Sequence, residues 1–411
     1  MNPLELTLGI MTAVGGFVDI SQLVFSGQAG SLFGYSLISA FAISTIGIMV
    51  FGEMCGRVAA VARQPVFSLI RHRLGLKLGM FTLAASLLST LITCAAEIGG
   101  LGLILNHLTG APYRLMCVAA TIGLMASMWI LPFKWIERAY GLLGLFMIVF
   151  VVALVAIHPP WNDVAAGLVP QVPHGLSTKQ MLTFSYFVVA IFSAVMFPYE
   201  AYFYSSGGVE EQWGPKDLLT NRVTSIAGMG LGTLLSIAIV ALGAQLFGPV
   251  NVAPEVPGSV ALLPAIPFGR LGLVLALAGM FFAVAGAAVE TCMANAYSVA
   301  QFFGWEWGRH KKPWDAPRFT LARIAFMIAG LLIVLSGVGV MDLVDYAIVL
   351  SIVVLPLSYL PLMLLANDRS YMGQYANKWL AKGLGWLFFA VVTITAIAAI
   401  PLYFATSGGQ A

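Results

Sequence analysis

Eleven long apolar segments, joined by short polar connections, constrain the fold of this chain more than any other feature. Crossing a bilayer as an α-helix takes about 20 apolar residues, and the segments have about that length or more. In lipid, every backbone N–H and C=O must be satisfied within the protein, so such segments are expected to be helices. Their approximate bounds are 6–27, 34–56, 79–106, 114–131, 138–157, 181–206, 224–247, 271–303, 319–338, 342–366 and 384–405.

The composition agrees with a membrane protein that has no separate soluble domain. Hydrophobic residues make up 60% of the 411 residues, and charged residues make up only 9%, which is far from the composition of a soluble domain. We therefore predict an all-α integral membrane protein with 11 transmembrane helices, forming one transmembrane domain over residues 1–411.

The basic residues indicate how the chain is oriented in the membrane. Of the twenty Lys and Arg residues, all but three lie in or beside the connections that follow even-numbered segments; the exceptions are Arg114, Lys179 and Arg270. Cytoplasmic connections carry the excess of Lys and Arg. We therefore expect a multi-pass protein of the cell membrane with a cytoplasmic N-terminus and an external C-terminus. An error of one in the number of segments would destroy this alternation of basic and non-basic connections. The positions of the charges therefore also support a total of eleven segments.

A carboxylate inside the first apolar segment is the first candidate for a functional group. Asp19 follows Gly15 and Gly16 and precedes Gln22. A charge at bilayer depth costs about 2.5–3.5 kcal/mol on insertion scales and usually faces a cavity or pathway. Glycines weaken a helix, and an unwound turn would offer carbonyl oxygens beside the carboxylate and the amide, which are ligands for hard cations. The alternative is that Asp19 only caps a helix or hydrogen-bonds within the bundle.

A second carboxylate occupies a comparable place in the second half of the chain. Glu200 follows Pro198, which removes a backbone donor and frees a carbonyl near Ala194. Paired interrupted segments in the two halves of a chain point to the binding site of an inverted-repeat transporter. Phenolic hydroxyls cluster on the same stretch, for which a proline kink with aromatic packing is the favoured interpretation: Tyr199, Tyr202 and Tyr204.

Two more carboxylates, Glu97 and Glu290, also lie inside apolar segments. Each could position a ligand residue without binding the cation itself, accept a proton, or form a structural charge pair. The chain has no P-loop, no dinucleotide-binding fingerprint and no histidine pair at metalloprotease spacing. We therefore predict that it is not an enzyme, that it has no resident cofactor, and that its partners are the lipid bilayer and a solute, with no nucleic acid. The sequence leaves the oligomeric state open.

Four stretches of the chain together resemble the Nramp family of divalent-metal transporters. The family's Asp-Pro-Gly-Asn motif and its continuation are similar to Asp19-Ile20-Ser21-Gln22, Gln28-Ala29-Gly30 and Gly34-Tyr35. The third-helix motif Ala-Glu-Val-Ile-Gly is similar to Glu97-Ile98-Gly99, and the sixth-helix motif Met-Pro-His-Asn is similar to Pro198-Tyr199-Glu200 with Tyr202 and Ser205. The tenth helix and the loop after it are similar to Leu350-Ser351, Leu355-Pro356, Pro361, Asp368-Arg369 and Met372-Gly373.

The resemblance implies a LeuT-type fold, with two inverted five-helix repeats and one extra helix. On the bounds above, the first repeat covers about 6–157, the second about 181–366, and the extra helix about 384–405. Broken first and sixth helices would enclose the ion. The resemblance also implies metal uptake, often coupled to protons.

The chain departs from the family pattern at several positions. Gln22 stands at the Asn position, and Glu200 stands at the Asn of the sixth helix. Phe197 stands at the Met position, with Met196 available only if the register slips by one residue. Tyr199 and Tyr204 replace the two histidines, and Cys94 replaces an acidic residue. Loss of the thioether favours a harder ion, and the other changes remove most groups associated with proton coupling.

The sequence thus predicts a secondary transporter of a manganese- or magnesium-type divalent cation, working by alternating access and without tight proton coupling. The predicted ligands are Asp19, Gln22, Glu200 and a main-chain carbonyl near Ala194. The predicted supporting or gating residues are Glu97, Tyr199, Tyr204, Glu290 and Met196. One alternative keeps the fold but carries an organic cation or an amino acid, and another is a non-transporting membrane sensor.

Overall fold

The computed structural model of the chain describes residues 18–254 and 256–409. Within these residues the regular secondary structure is entirely helical. The predicted first segment, 6–27, begins outside the described residues. Gly15 and Gly16, at which a helix break is predicted, also lie outside them. The described part of that segment enters a helix at Ile20.

The α-helices differ widely in length, and short 3₁₀ turns lie between or beside several of them. In chain order the helices are α1 (Ile20–Phe33), α2 (Ile38–Ala62), α3 (Val66–Thr109), α4 (Tyr113–Ile130), α5 (Phe133–Gly144), α6 (Ile148–Ala156), α7 (Trp161–Ala166), α8 (Thr178–Val195), α9 (Pro198–Glu210), α10 (Leu218–Leu246), α11 (Pro257–Phe303), α12 (Pro317–Leu335), α13 (Val340–Asn367), α14 (Arg369–Met372) and α15 (Trp379–Thr406).

The helices confirm the pattern of apolar segments. Ten helical stretches in the described part of the chain are long and apolar enough to cross a membrane, and each overlaps one of the predicted segments from 34–56 onward. One of them, Phe133–Ala156, joins α5 and α6, and another, Thr178–Glu210, joins α8 and α9. The chain is therefore an all-α protein whose spans follow the hydropathy pattern.

Two helices are longer than a bilayer requires, and each is interrupted by a glycine in the left-handed region. α3 changes direction at Gly75 (φ 76°) and α11 at Gly269 (φ 59°). A side chain with a β-carbon rarely adopts these angles, so glycine is the residue that permits each bend. The predicted spans 79–106 and 271–303 therefore correspond to the parts of α3 and α11 that follow the bend.

Small residues allow α1 to lie directly against α10. A β-carbon at Gly30 would come within 2.0 Å of the Val240 carbonyl oxygen, and one at Gly243 would come within 2.7 Å of the Gly27 carbonyl oxygen. The two backbones therefore touch with no side chain between them. This contact fixes the position of α1, whose first residues carry the candidate site.

We expect Gly30→Val to destabilise the folded protein, because the new side chain would push α1 away from α10. Overpacking of this kind costs about 1–3 kcal/mol. Thermal unfolding of the purified protein in detergent measures the effect. Gly123→Val is the matched control, since a β-carbon at Gly123 meets no atom within 4 Å. Equal melting temperatures for the two variants would contradict the close contact between α1 and α10.

Candidate cation-binding site

The helix α1 begins directly after Asp19, which caps it. Asp19 has extended backbone angles (φ −86°, ψ 173°), and its Oδ1 accepts a hydrogen bond from the Gln22 N–H at 2.6 Å. Its second oxygen, Oδ2, is buried and has no hydrogen-bond partner. Asp19 therefore caps the helix with one carboxylate oxygen, while the other oxygen remains open to a further partner.

A second carboxylate reaches the same helix end from α3. The Ile20 N–H donates to Glu97 Oε1 at 3.2 Å and to Oε2 at 3.3 Å. Both Glu97 and Ile20 are fully buried. A helix N-terminus has backbone donors without helical partners and a partial positive charge, so it favours nearby carboxylates. Glu97 therefore supports Asp19 by holding the start of α1.

Gln22 presents an oxygen to the same region. Its Nε2 donates to Ser236 Oγ on α10 at 2.8 Å, which leaves Oε1 buried and without a partner. Ser21 Oγ, one residue before, is buried and unpartnered as well. The sequence did not predict Ser21 as a ligand, because a serine in an apolar run usually hydrogen-bonds to its own helix.

A helix break lies between α8 and α9. Met196 (φ −119°, ψ 42°) and Phe197 (φ −58°, ψ 135°) leave the helical region, and Pro198 starts the next helix. Ala194, in the last turn of α8, stands four residues before Pro198, where a regular helix would have received the missing N–H. The Met196 carbonyl accepts a hydrogen bond from the Tyr359 hydroxyl at 3.2 Å.

The thioether of Met196 lies against α2. A β-carbon added at Gly47 would come within 2.9 Å of the Met196 sulfur. Phe197 is buried, and its ring centroid lies 5.4 Å from that of Tyr199. The sulfur is thus used in packing between helices.

Glu200 occupies the first turn of α9 and is only 5% exposed. Its Oε2 has no hydrogen-bond partner. Glu200 lies within electrostatic range of Asp19 on α1 and of Glu290 on α11. The neighbouring Tyr199 lies within range of these three carboxylates and of Glu97, and its buried hydroxyl is unpartnered. The structure therefore brings the predicted carboxylates of both halves together.

The atoms left open at the start of α1 and at the break between α8 and α9 are all oxygens. Buried polar atoms are normally hydrogen-bonded, and leaving them unpaired costs free energy. Among the described residues, five of the eight buried side-chain atoms without a partner belong to this cluster: Asp19 Oδ2, Ser21 Oγ, Gln22 Oε1, Tyr199 Oη and Glu200 Oε2. No three Asp, Glu, His or Cys side chains in the described part of the chain form a metal-binding group. The arrangement suits a hard cation held by two carboxylates and neutral oxygens.

Two predicted supporting residues have other neighbours. The Tyr204 hydroxyl donates to Asn221 Oδ1 at 2.9 Å and accepts from Ser225 Oγ at 3.2 Å, so it ties α9 to α10. Glu290 is buried on α11 and also interacts electrostatically with Glu137 and Arg309.

Arg309 lies in the connection after α11 and joins three elements. Its guanidinium lies 3.3 Å from Glu210 and 3.7 Å from Glu137, and it sits over the Phe133 ring. Burial alone would lower the pKa of Arg309, but the surrounding negative groups, Glu137 foremost, outweigh burial and raise it. Arg309 therefore stays charged and links the end of α9 to the start of α5.

Comparison with known proteins decides the family. The model of the Nramp family, described as natural resistance-associated macrophage protein-like, matches residues 9–401. The chain belongs to the Nramp family. The predicted resemblance is confirmed over nearly the whole length, and the chain is a multi-pass membrane protein of that family.

Individual relatives are distant in sequence but match over most of their length. The chain is 26% identical to "Divalent metal cation transporter MntH 1" of Pseudomonas aeruginosa, over 96% of this chain and 91% of the relative. It is 27% identical to "Divalent metal cation transporter MntH" of Ralstonia nicotianae, over 94% of this chain and 88% of the relative.

Solved structures show the same fold. A crystal structure of the Eremococcus coleocola manganese transporter, in complex with an aromatic bis-isothiourea substituted compound, superposes with a TM-score of 0.78 at 19% identity. The superposition covers 97% of this chain and 86% of the Eremococcus coleocola chain. MhsT in complex with L-phenylalanine gives a TM-score of 0.50 at 16% identity, covering 98% of both chains. The predicted LeuT-type fold is confirmed.

We expect Glu97→Leu to be less stable than Glu97→Gln. Both substitutions remove the charge, but only glutamine keeps an oxygen that can accept from the Ile20 N–H. An unsatisfied buried donor costs about 1–3 kcal/mol. Thermal unfolding in detergent, together with hydrogen exchange of the peptide around residues 18–25, measures the difference. Equal stability and equal exchange in the two variants would show that Glu97 does not hold the start of α1.

Proposed function

We propose that this protein is a secondary transporter of a divalent metal cation. The observation that carries the proposal is the cluster of unpartnered, buried oxygens at the start of α1 and near the break between α8 and α9, within an Nramp-family fold. Relatives over most of the chain are named divalent metal cation transporters, and the structural neighbour is a manganese transporter. No catalytic step and no resident cofactor enter this proposal, since the metal ion is the cargo.

The ligands in this proposal come from both helix breaks. Asp19 Oδ2, Gln22 Oε1 and Glu200 Oε2 supply side-chain oxygens, and the carbonyl near Ala194 supplies a main-chain oxygen. Ser21 and Tyr199 add hydroxyls that the sequence reasoning did not count as ligands. Two ionised carboxylates match the charge of one divalent ion, and oxygen ligands favour a manganese- or magnesium-type ion over softer metals.

Alternating access follows from the position of these ligands at helix breaks. A ligand at the end of a half-helix can move with that half while the other half stays in place, which opens the site to one side at a time. Tight proton coupling is not part of the proposal. The family's histidine positions are Tyr199 and Tyr204, and the Tyr204 hydroxyl is engaged with α10.

The proposed setting is the cell membrane, with a cytoplasmic N-terminus and an external C-terminus. The excess of Lys and Arg in even-numbered connections supports this orientation. The inverted repeats are proposed to cover about 6–157 and 181–366. Asp19 and Glu200 would then occupy comparable places in the two repeats.

We expect Asp19→Ala and Glu200→Ala each to reduce divalent-cation uptake into proteoliposomes at least tenfold, because each removes a charged ligand. Asp345→Asn is the matched control. Asp345 is also a buried carboxylate within a span, but it lies on α13 and accepts from the Tyr186 hydroxyl at 3.1 Å. Size-exclusion profiles in detergent check folding. Retained uptake in either alanine variant would remove that residue from the site.

The same assay, run with manganese, magnesium and cadmium and an internal pH dye, tests the type of ion. Manganese or magnesium uptake without cadmium preference or acidification is the expected result. Cadmium preference with acidification would contradict the hard-ion, uncoupled proposal. Absence of any metal flux would favour an organic solute, and thermal stabilisation by amines or amino acids would then identify it.

We expect a cysteine at position 171 to react with a membrane-impermeant maleimide from outside the cell, and a cysteine at position 315 to react only after permeabilisation. Gln171 and Asp315 are exposed residues in connections predicted to lie on opposite sides. The four native cysteines are buried and free, so the background should be low. The reverse labelling pattern would invert the proposed orientation.

A further inference from the structure

Glu290 is a buried carboxylate that a single cation between Asp19 and Glu200 leaves unexplained. It is 8% exposed and lies within a helix that spans the membrane. Glu200 is close enough to Asp19 and to Glu290 for their charges to interact with it. Buried carboxylates of α3, α1, α9 and α11 thus lie in one region around Tyr199.

The contacts between α9 and α11 give the position of Glu290 independently of its charge. Gln301 Nε2 donates to Ser206 Oγ at 2.7 Å, and the Tyr297 ring lies 6.1 Å from the Phe203 ring. These pairs differ by 95 and 94 residue numbers, so α9 and α11 run side by side in the same direction. The same offset places the level of Glu200 at residue 294 or 295 of α11.

Glu290 therefore lies four or five residues from the level of Glu200, a little more than one helical turn, which is roughly 6–7.5 Å along the axis. It precedes Tyr297 by seven residues and Gln301 by eleven, and these spacings place all three on one face of a helix. Since Tyr297 and Gln301 contact α9, Glu290 lies on the face of α11 that is turned toward α9.

The centre holds more carboxylates than a single cation between Asp19 and Glu200 would contact. Asp19, Glu97, Glu200 and Glu290 are each less than a tenth exposed. Glu97 already accepts a hydrogen bond from the Ile20 N–H, so Glu290 is the carboxylate to which a single ion at Asp19 and Glu200 assigns no contact. The basic group described near Glu290 is Arg309, and its guanidinium is shared with Glu137, Glu210 and Glu211. Buried charges without compensation are strongly unfavourable.

We propose that the protein binds a second divalent cation between Glu200 and Glu290, with the unpartnered Tyr199 hydroxyl and Glu200 Oε2 available as ligands. This proposal rests on the proposed function, because it adds a position to the same central site. Glu200 is shared by the two positions, so an ion can pass from Asp19 toward α11 without leaving a carboxylate.

Equilibrium binding of radioactive Mn²⁺ to the full-length protein in detergent tests the number of ions. We expect two ions per wild-type chain, one in Glu290→Gln, one in Asp19→Asn, and two in the control Asp345→Asn. One ion in the wild type, unchanged by Glu290→Gln, would overturn the second position and leave the proposed function intact. No ion bound to the wild type would overturn both.

Electron paramagnetic resonance of the Mn²⁺-saturated wild type decides the matter without any variant, should Glu290→Gln fail to fold. Two ions that share Glu200 should give a spectrum broadened by coupling between them. The broadening should disappear when the ratio of metal to protein falls well below one. A spectrum of isolated ions at saturation would overturn the proposal.

Discussion

The candidate site depends on the way in which the N-terminus of α1 is held between two carboxylates. Asp19 accepts the Gln22 N–H, and Glu97 accepts the Ile20 N–H. A helix that begins in the middle of a membrane protein leaves backbone donors that water cannot satisfy. The two carboxylates are therefore required for α1 to begin at this position. Close packing of Gly27 and Gly30 against α10 then fixes where the helix end lies. These hydrogen bonds and the packing against α10 together fix the position of the unpartnered oxygen of Asp19.

The start of α1 and the break between α8 and α9 satisfy the backbone with different chemistry. Between α8 and α9, Pro198 removes a donor and starts a new helix, and the Tyr359 hydroxyl satisfies the Met196 carbonyl. Before α1, where the family pattern has Pro-Gly and this chain has Ile20-Ser21, carboxylates perform the corresponding task. One consequence is that Glu97 and Asp19 serve the backbone and the site together. A substitution at Glu97 therefore affects both stability and ligand geometry.

Local patterns in the sequence predicted much of the fold, and long-range contacts account for what they missed. Hydropathy located ten helical stretches, because each span must be apolar whatever its neighbours. The bends at Gly75 and Gly269 were not predicted, since a single glycine in an apolar run gives no sign of its φ angle. Carboxylates in apolar runs identified Asp19 and Glu200 as site candidates. The engagement of Tyr204 with Asn221, and of the Met196 thioether with α2, depends on helices distant in the chain.

Burial of the oxygen cluster links cation binding to the conformation of the protein. Val18, Ile20 and Phe197, which adjoin the breaks in the chain, are fully buried, so the surroundings of the carboxylates are apolar. In such surroundings an ionised carboxylate without a partner is costly, and its attraction to a cation is stronger than in water. An ion at the proposed site would therefore favour the arrangement that brings the oxygens at the start of α1 and at the break between α8 and α9 together. The empty site lacks this attraction between cation and oxygens. In the proposed transport cycle, the bound ion itself would thus stabilise the closed arrangement, as alternating access requires.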